Sequence, residues 1–185
     1  MQWNNKLKYL GVVFLSGLKM KCDTNYIMRK FYAASNCIFS NTSGLAELLQ
    51  LQLQQTYCLP ILQYSSCAIK FTQSQLSTLN VCWNDVFRKI FKFNRWESVT
   101  EFIGGLGYLN FIHLWYLSVV KFIKFLMSAA NGVLRDICMV FVHGSEFVEV
   151  SHKLNVNCNM PMYLIRDRIY NQFNSSRVLQ VLQVF

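Results

Sequence analysis

Apolar residues crowd positions 7–14 (LKYLGVVF), a run rich in the Val, Leu, Tyr and Phe that favour extended chain. Ser16-Gly17 follows as a turn signal before residues 18–21, so the start of the chain predicts a short β-hairpin. Period two then puts Lys6 and Lys8 on one face and Tyr9 on the other. From Asp23 onward the spacing changes to three and four. Asp23 or Thr24 caps a helix reaching about Phe39, with Ile27, Phe31, Ala34 and Ile38 as its apolar stripe. Residues 40–44 (SNTSG) break it. A second helix, polar through its glutamines, runs from Gly44 or Leu45 to Cys58, and Pro60 either kinks it or opens another that ends near Ala68. Ser74 is placed to cap a helix over 75–93, where Leu76, Leu79, Trp83, Val86, Phe87 and Ile90 form one stripe. Arg88, Lys89 and Lys92 fall outside that stripe, and Asp85 stands four residues before Lys89 as its expected partner.

The second half continues the helical period. Glycines 104, 105 and 107 interrupt the chain, a long helix follows from about Asn110 to Ala130, and further helices are expected over 133–142 and 146–154. Asn159-Met160-Pro161 opens a last helix, with Pro161 in its first turn, through about Phe173. The tail 177–185 is short and apolar. The chain thus reads as mainly α, a short hairpin followed by a bundle of about seven helices. Its one compositional seam lies near 94–107. There is no internal repeat.

Residues 102–120 contain no formal charge and are long enough to span a bilayer. Against a span stand the three glycines, and Asn110, His113, Lys121, Lys124 and Ser128, which fall broadly on one side of a helix. An amphipathic helix of a bundle is the favoured reading, with no membrane. Charged residues make up only 15% of the chain, against about 25% in an ordinary soluble domain. Such a surface calls for a membrane, a partner domain or self-association to cover its apolar area, and the partner domain is the one expected.

The net charge of +9 is unevenly placed. Residues 1–95 hold eleven Lys/Arg against three acids, a balance of +8, whereas residues 96–185 hold seven against six. A basic field of this kind suits a phosphate-tracking surface, because neutralising phosphates releases counterions. The seven cysteines include no CxxC pair, and no secretory signal precedes them, so reduced thiols in an intracellular protein of the nucleus or cytoplasm are expected. Cys138, His143, His152 and Cys158 could be assembled into a zinc set, but their spacing fits no zinc motif and no metal is expected. The nine acids are scattered, none adjacent to another, and His113, His143 and His152 stand in no nucleophile or triad context. Nor is there a phosphate loop at Gly104-Gly105-Leu106-Gly107. No catalytic residue is assigned.

Tyr9-Leu10-Gly11 is followed in order by 23–36 (DTNYIMRKFYAASN), 54–64 (QQTYCLPILQY) and 80–96 (NVCWNDVFRKIFKFNRW). Together these segments resemble the post-catalytic third of a LINE-type (non-LTR) retrotransposon reverse transcriptase. The resemblance implies a primer-grip hairpin over 1–22, a basic thumb-like helical region over 23–95, a C-terminal helical extension over 96–176 and a tail over 177–185. It also implies that the paired-aspartate box of the polymerase palm belongs upstream, where only Met1 to Lys6 stand. The chain alone is therefore expected to be no enzyme and to need no cofactor, the catalytic Mg²⁺ belonging to the palm. What it implies instead is a weak, sequence-independent grip on an RNA/DNA or DNA duplex. Tyr9 and Gly11 would lie against the primer end, Lys6 and Lys8 beside them, with Arg29, Lys30, Arg88, Lys89, Lys92 and Arg95 along the groove face. The competing classes are a small helical membrane protein and an inert helical protein-interaction domain.

Overall fold

The apolar run 7–14 does not stay one strand. In the computed structural model of the protein it folds back at Leu10-Gly11, both at positive φ (45° and 80°). Strand β1 (Lys6–Tyr9) therefore pairs antiparallel with β2 (Val12–Leu15), Lys6 opposite Leu15 and Tyr9 opposite Val12. Two central residues of positive φ give a turn whose twist matches that of the strands it joins, which is why two-residue hairpins favour it. The expected turn at Ser16-Gly17 begins the connection from β2 to a further antiparallel strand, and the Leu10-Gly11 turn is an additional one ahead of it. The chain goes on to β3 (Lys21–Cys22), which pairs with the other side of β2, Phe14 opposite Cys22. The sheet has the order β1-β2-β3, leaving β1 as an edge. The structure describes residues 5–17, 21–64, 66, 69, 71–142, 145–157 and 159–182. Residues 18–20 of the expected second strand, and His143 and Cys158 of the Cys/His set, lie outside them.

Helices account for most of the described chain, which divides into two units, residues 1–99 and 100–185. That division falls inside the compositional seam. In the first unit α1 (Thr24–Asn41) starts at Asp23, whose Oδ1 accepts from the Asn25 N–H at 3.1 Å. Its buried face is Ile27, Phe31 and Ser35. Ala34 and Ile38 are half-buried, because the inward place is taken by Ser35, whose carbonyl accepts from the buried Gln54 amide at 3.1 Å. Next come α2 (Glu47–Leu53), a π-helical turn (Gln54–Cys58) and α3 (Leu59–Gln63) in one continuous rod. Pro60 opens α3, the second of the two expected outcomes, though that helix ends at Gln63 and not near Ala68. The Leu59 N–H reaches back five residues to the Gln54 carbonyl, and Pro60 falls in the first turn of α3, where its missing N–H is least costly.

Helix α4 (Gln73–Phe91) is capped by Thr72, not Ser74. Thr72 has Gln75 at the third helical position, and the two close a reciprocal capping box: Gln75 N–H to Thr72 Oγ1 at 3.2 Å, Thr72 N–H to Gln75 Oε1 at 2.9 Å. Ser74 would have offered Ser77, which cannot reach back. The Gln75 side chain also donates to the Cys22 carbonyl at 3.2 Å, so one residue joins the cap to the sheet. The expected stripe of α4 is buried in full, with Trp83 and Phe87 edge to face at 5.4 Å. It packs against α1 and α2.

The second unit holds α5 (Thr100–Gly105), α6 (Phe111–Ser128), α7 (Gly132–Val142), α8 (Ser145–Leu154) and α9 (Met162–Leu182). Gly104 and Gly105 belong to α5 instead of breaking the chain, and only Gly107, at φ 77°, makes a turn. The last helix absorbs residues 177–182 of the expected tail. Helix α6 is the spine, touching α7, α8 and α9. Among the described residues it is the one helix whose length and mean hydropathy (1.4) would allow a membrane crossing, and 44% of it is buried. The candidate span thus starts at Phe111, nine residues later than the uncharged stretch suggests.

His113 is the main departure from the expected polar side of α6. It is 8% exposed, edge to face with Phe173 at 5.0 Å, while Lys121 and Ser128 remain exposed. The Asn110 side chain explains how an imidazole can sit there: its Oδ1 caps the helix through the His113 N–H at 3.0 Å and lies 2.6 Å from Nδ1. Burial pushes the imidazole down to about 4. The fold holds the neutral ring, and the unfolded chain protonates first, near 6.5. Stability is thus complete above pH 6.5 and falls as pH drops towards 4. Between pH 7 and 5 this histidine should cost about 2 kcal/mol. Urea unfolding across that interval should show the slope in the native chain and lose most of it in His113→Gln.

Candidate functional site

The hairpin turn is fastened to a residue 54 positions away. Tyr64, just past α3, donates its hydroxyl to the Leu10 carbonyl at 2.9 Å. A cleft of about 510 Å³ opens beside this bond. The hairpin contributes Leu10, Gly11 and Val12, α1 contributes Tyr26, Ile27 and Lys30, and the end of the π-containing rod contributes Pro60, Ile61 and Tyr64. Val12 and Ile27 are buried at 4% and 6%, whereas Leu10 is 70% exposed. The cleft is therefore apolar within and open at the turn.

Two cations converge on its Tyr26 wall. The Lys30 ammonium lies 4.8 Å and that of Lys8 5.6 Å from the ring centroid. Lys8, then Lys30, hold the Tyr26 hydroxyl below the usual phenol range. Lys6 stands next along β1 and pairs with Asp23 at 3.7 Å. Lys6, Lys8 and Lys30 are thus brought to one end of the first unit, with Tyr9 63% exposed on the same strand. Arg29 is exposed on α1 and donates to the Asn25 carbonyl of its own helix at 3.3 Å.

The cations of α4 divide. Arg88 is only 17% exposed in its side chain and is fully engaged: Nη1 meets Asp85 Oδ1 at 2.9 Å and Nε donates to the Glu97 carbonyl at 3.1 Å. The other oxygen of Asp85 accepts the Tyr32 hydroxyl at 2.8 Å, so α1 and α4 share one carboxylate and Arg88 ties it to the following turn. Desolvation, with Cys82 and Asp85 nearby, keeps that hydroxyl protonated well above the usual phenol range. Asp85 thus pairs at i+3 with Arg88, and not with Lys89. Lys89 instead donates to Asn36 Oδ1 at 2.9 Å and lies 4.3 Å from the Phe39 ring centroid. Lys92 closes α4 in the left-handed region, φ 59°, and is exposed, as are Arg95 and, at 85%, Trp96. Glu97 fixes their turn by accepting from the Asn94 N–H and side chain at 2.7 and 2.8 Å.

Pro60, Ile61 and Tyr64 belong to the segment 54–64 that carries the resemblance, but were not expected beside the hairpin turn, since no local period connects them with residues 8–12. Among the described residues no three His, Cys, Asp or Glu gather as a metal site. Cys138 is buried, its Sγ 3.8 Å from the Ile123 carbonyl, and His152 is exposed. The chain matches no protein-family model, no curated protein and no solved structure.

Leu10 occupies a backbone conformation that costs an L-residue with a Cβ roughly 1–2 kcal/mol, where Asn is the usual occupant. Leu10→Asn should raise the unfolding free energy read from urea titration by about 1 kcal/mol, and Gly11→Ala, at φ 80°, should lower it by a similar amount.

Proposed function

We propose that this chain is the primer-grip and thumb-like part of a LINE-type reverse transcriptase, active by itself only as a weak, sequence-independent binder of RNA/DNA or DNA duplex. The observation that carries the proposal is the gathering of Lys6, Lys8 and Lys30 beside the protruding Tyr9-Leu10-Gly11 turn. Lys92 and Arg95 supply a second exposed basic place in the same unit. Ammonium and guanidinium groups at the surface position a phosphate backbone without reading bases, which is what movement along any sequence requires. Arg88 serves the reading differently: it holds the thumb-like helices together and leaves phosphate contact to its neighbours. Nucleotidyl transfer would need the aspartates and metal ions of a palm, so the proposal assigns none to this chain.

A small helical membrane protein is the second reading, favoured by α6 alone. Extraction of membranes with carbonate separates the two, since only a spanning protein stays in the pellet.

Affinity for an RNA/DNA hybrid should lie near 10⁻⁴–10⁻⁶ M and weaken steeply with salt. Lys8→Gln with Lys30→Gln, or Lys92→Gln with Arg95→Gln, should each flatten the log–log salt slope by about 0.9 per lost phosphate contact. Arg88→Ala should lower stability and leave the slope unchanged. Anisotropy titrations at several salt concentrations read all three, and a slope near zero in the native chain would refute the proposal.

A further inference from the structure

We propose that the cleft beneath the hairpin turn docks an acidic peptide segment, taking one bulky apolar side chain into the cleft and a neighbouring carboxylate between Lys8 and Lys30. The inside of the cleft is largely aliphatic: Val12, Ile27, Pro60 and Ile61, with Leu10 at the lip. Its volume of about 510 Å³ accommodates a large side chain with part of its backbone. Lys30 lines the cleft, and Lys8 shares with it the ring of Tyr26, another wall residue; among the described residues neither ammonium makes an ion pair with a carboxylate. An apolar pocket with a cationic edge is complementary to an apolar residue flanked by Asp or Glu.

Leu10 adds an independent argument. A leucine with φ 45° strains the turn, and at 70% exposure it gains little burial in return. Strain held at an exposed apolar residue is characteristic of binding sites, where the ligand supplies the missing contact. A nucleobase fits the same cleft less well, since beyond the two ammoniums and the Tyr64 hydroxyl the aliphatic walls offer its polar edge few hydrogen-bond partners.

The inference does not rest on the duplex reading, although it shares Lys8 and Lys30 with it. The test is anisotropy of the 185-residue chain with a fluorescein-labelled peptide Gly-Glu-Asp-Glu-Phe-Leu-Glu-Asp-Gly, its counterpart with lysine at every acid, and an oligo(dT) decamer. The acidic peptide should bind and the basic one should not. Leu10→Asn, which relieves the turn, and Ile61→Ser, at a half-buried position, should each weaken the peptide at least fivefold, with far-ultraviolet circular dichroism unchanged. Ile61→Ser should leave affinity for the RNA/DNA hybrid as it was. The proposal is overturned if the acidic peptide fails to bind, or if it binds with an affinity that neither substitution changes. It is overturned equally if oligo(dT) displaces the peptide and itself loses affinity in Ile61→Ser, for the cleft would then belong to nucleic acid.

Discussion

The hydrogen bond from the Tyr64 hydroxyl to the Leu10 carbonyl is the constraint on which the candidate site depends. A two-stranded hairpin in water is marginal by itself, and β1 has all four residues exposed. Three hydrogen bonds, beside the Lys6–Asp23 ion pair and the Lys8–Tyr26 contact, fix the small sheet to the helices: Tyr64 at the turn, the Asp23 N–H to the Val13 carbonyl at 2.8 Å, and Gln75 to the Cys22 carbonyl. Each joins a residue of the sheet or its turn to a different part of the helical framework. The first ties the Leu10-Gly11 turn to the end of the rod that carries Pro60 and Ile61, and the cleft lies between them. The π turn at Gln54–Cys58 matters for the same reason, since it sets the register of the rod that ends at Tyr64.

The charge of the first half of the chain is spent in two ways. Arg88 and, to a lesser degree, Lys89 are absorbed into the framework, one clamped by Asp85 and the Glu97 carbonyl, the other held by Asn36 and Phe39. Lys8, Lys30, Lys92 and Arg95 keep their charge at the surface. Net charge therefore overstates the binding field. A guanidinium with two acceptors and 17% exposure has been desolvated for structure, and moving it to a phosphate would leave Asp85 part-buried and uncompensated.

Long periodic elements were legible in the sequence because one face of each is dictated by burial. The stripe of α4, the Asn110 start of α6 and the Asp23 cap of α1 all follow from residues within one or two turns of each other. What could not be read depends on contacts across longer separations or on small stereochemical choices. Leu10-Gly11 lacks the Asn or Asp that marks a two-residue turn, so residues 7–14 looked like one strand. Thr72 displaced Ser74 because of the glutamine three residues later. His113 moved to the buried face because Asn110 and Phe173 accommodate it, the latter sixty residues away in sequence. Of the candidate cations, positions were legible but engagements were not, since Asp85 could as well have faced Lys89.

The central claim is that the first unit meets nucleic acid through the lysines around the hairpin turn and the end of α4. Lysine footprinting by acetylation and mass spectrometry, with and without an RNA/DNA hybrid at low salt, tests it residue by residue. The account predicts that Lys6, Lys8, Lys30 and Lys92 lose reactivity when the hybrid is present, while Lys121, exposed in the second unit, does not. Equal protection of Lys121, or unchanged reactivity at Lys8 and Lys30, would contradict it.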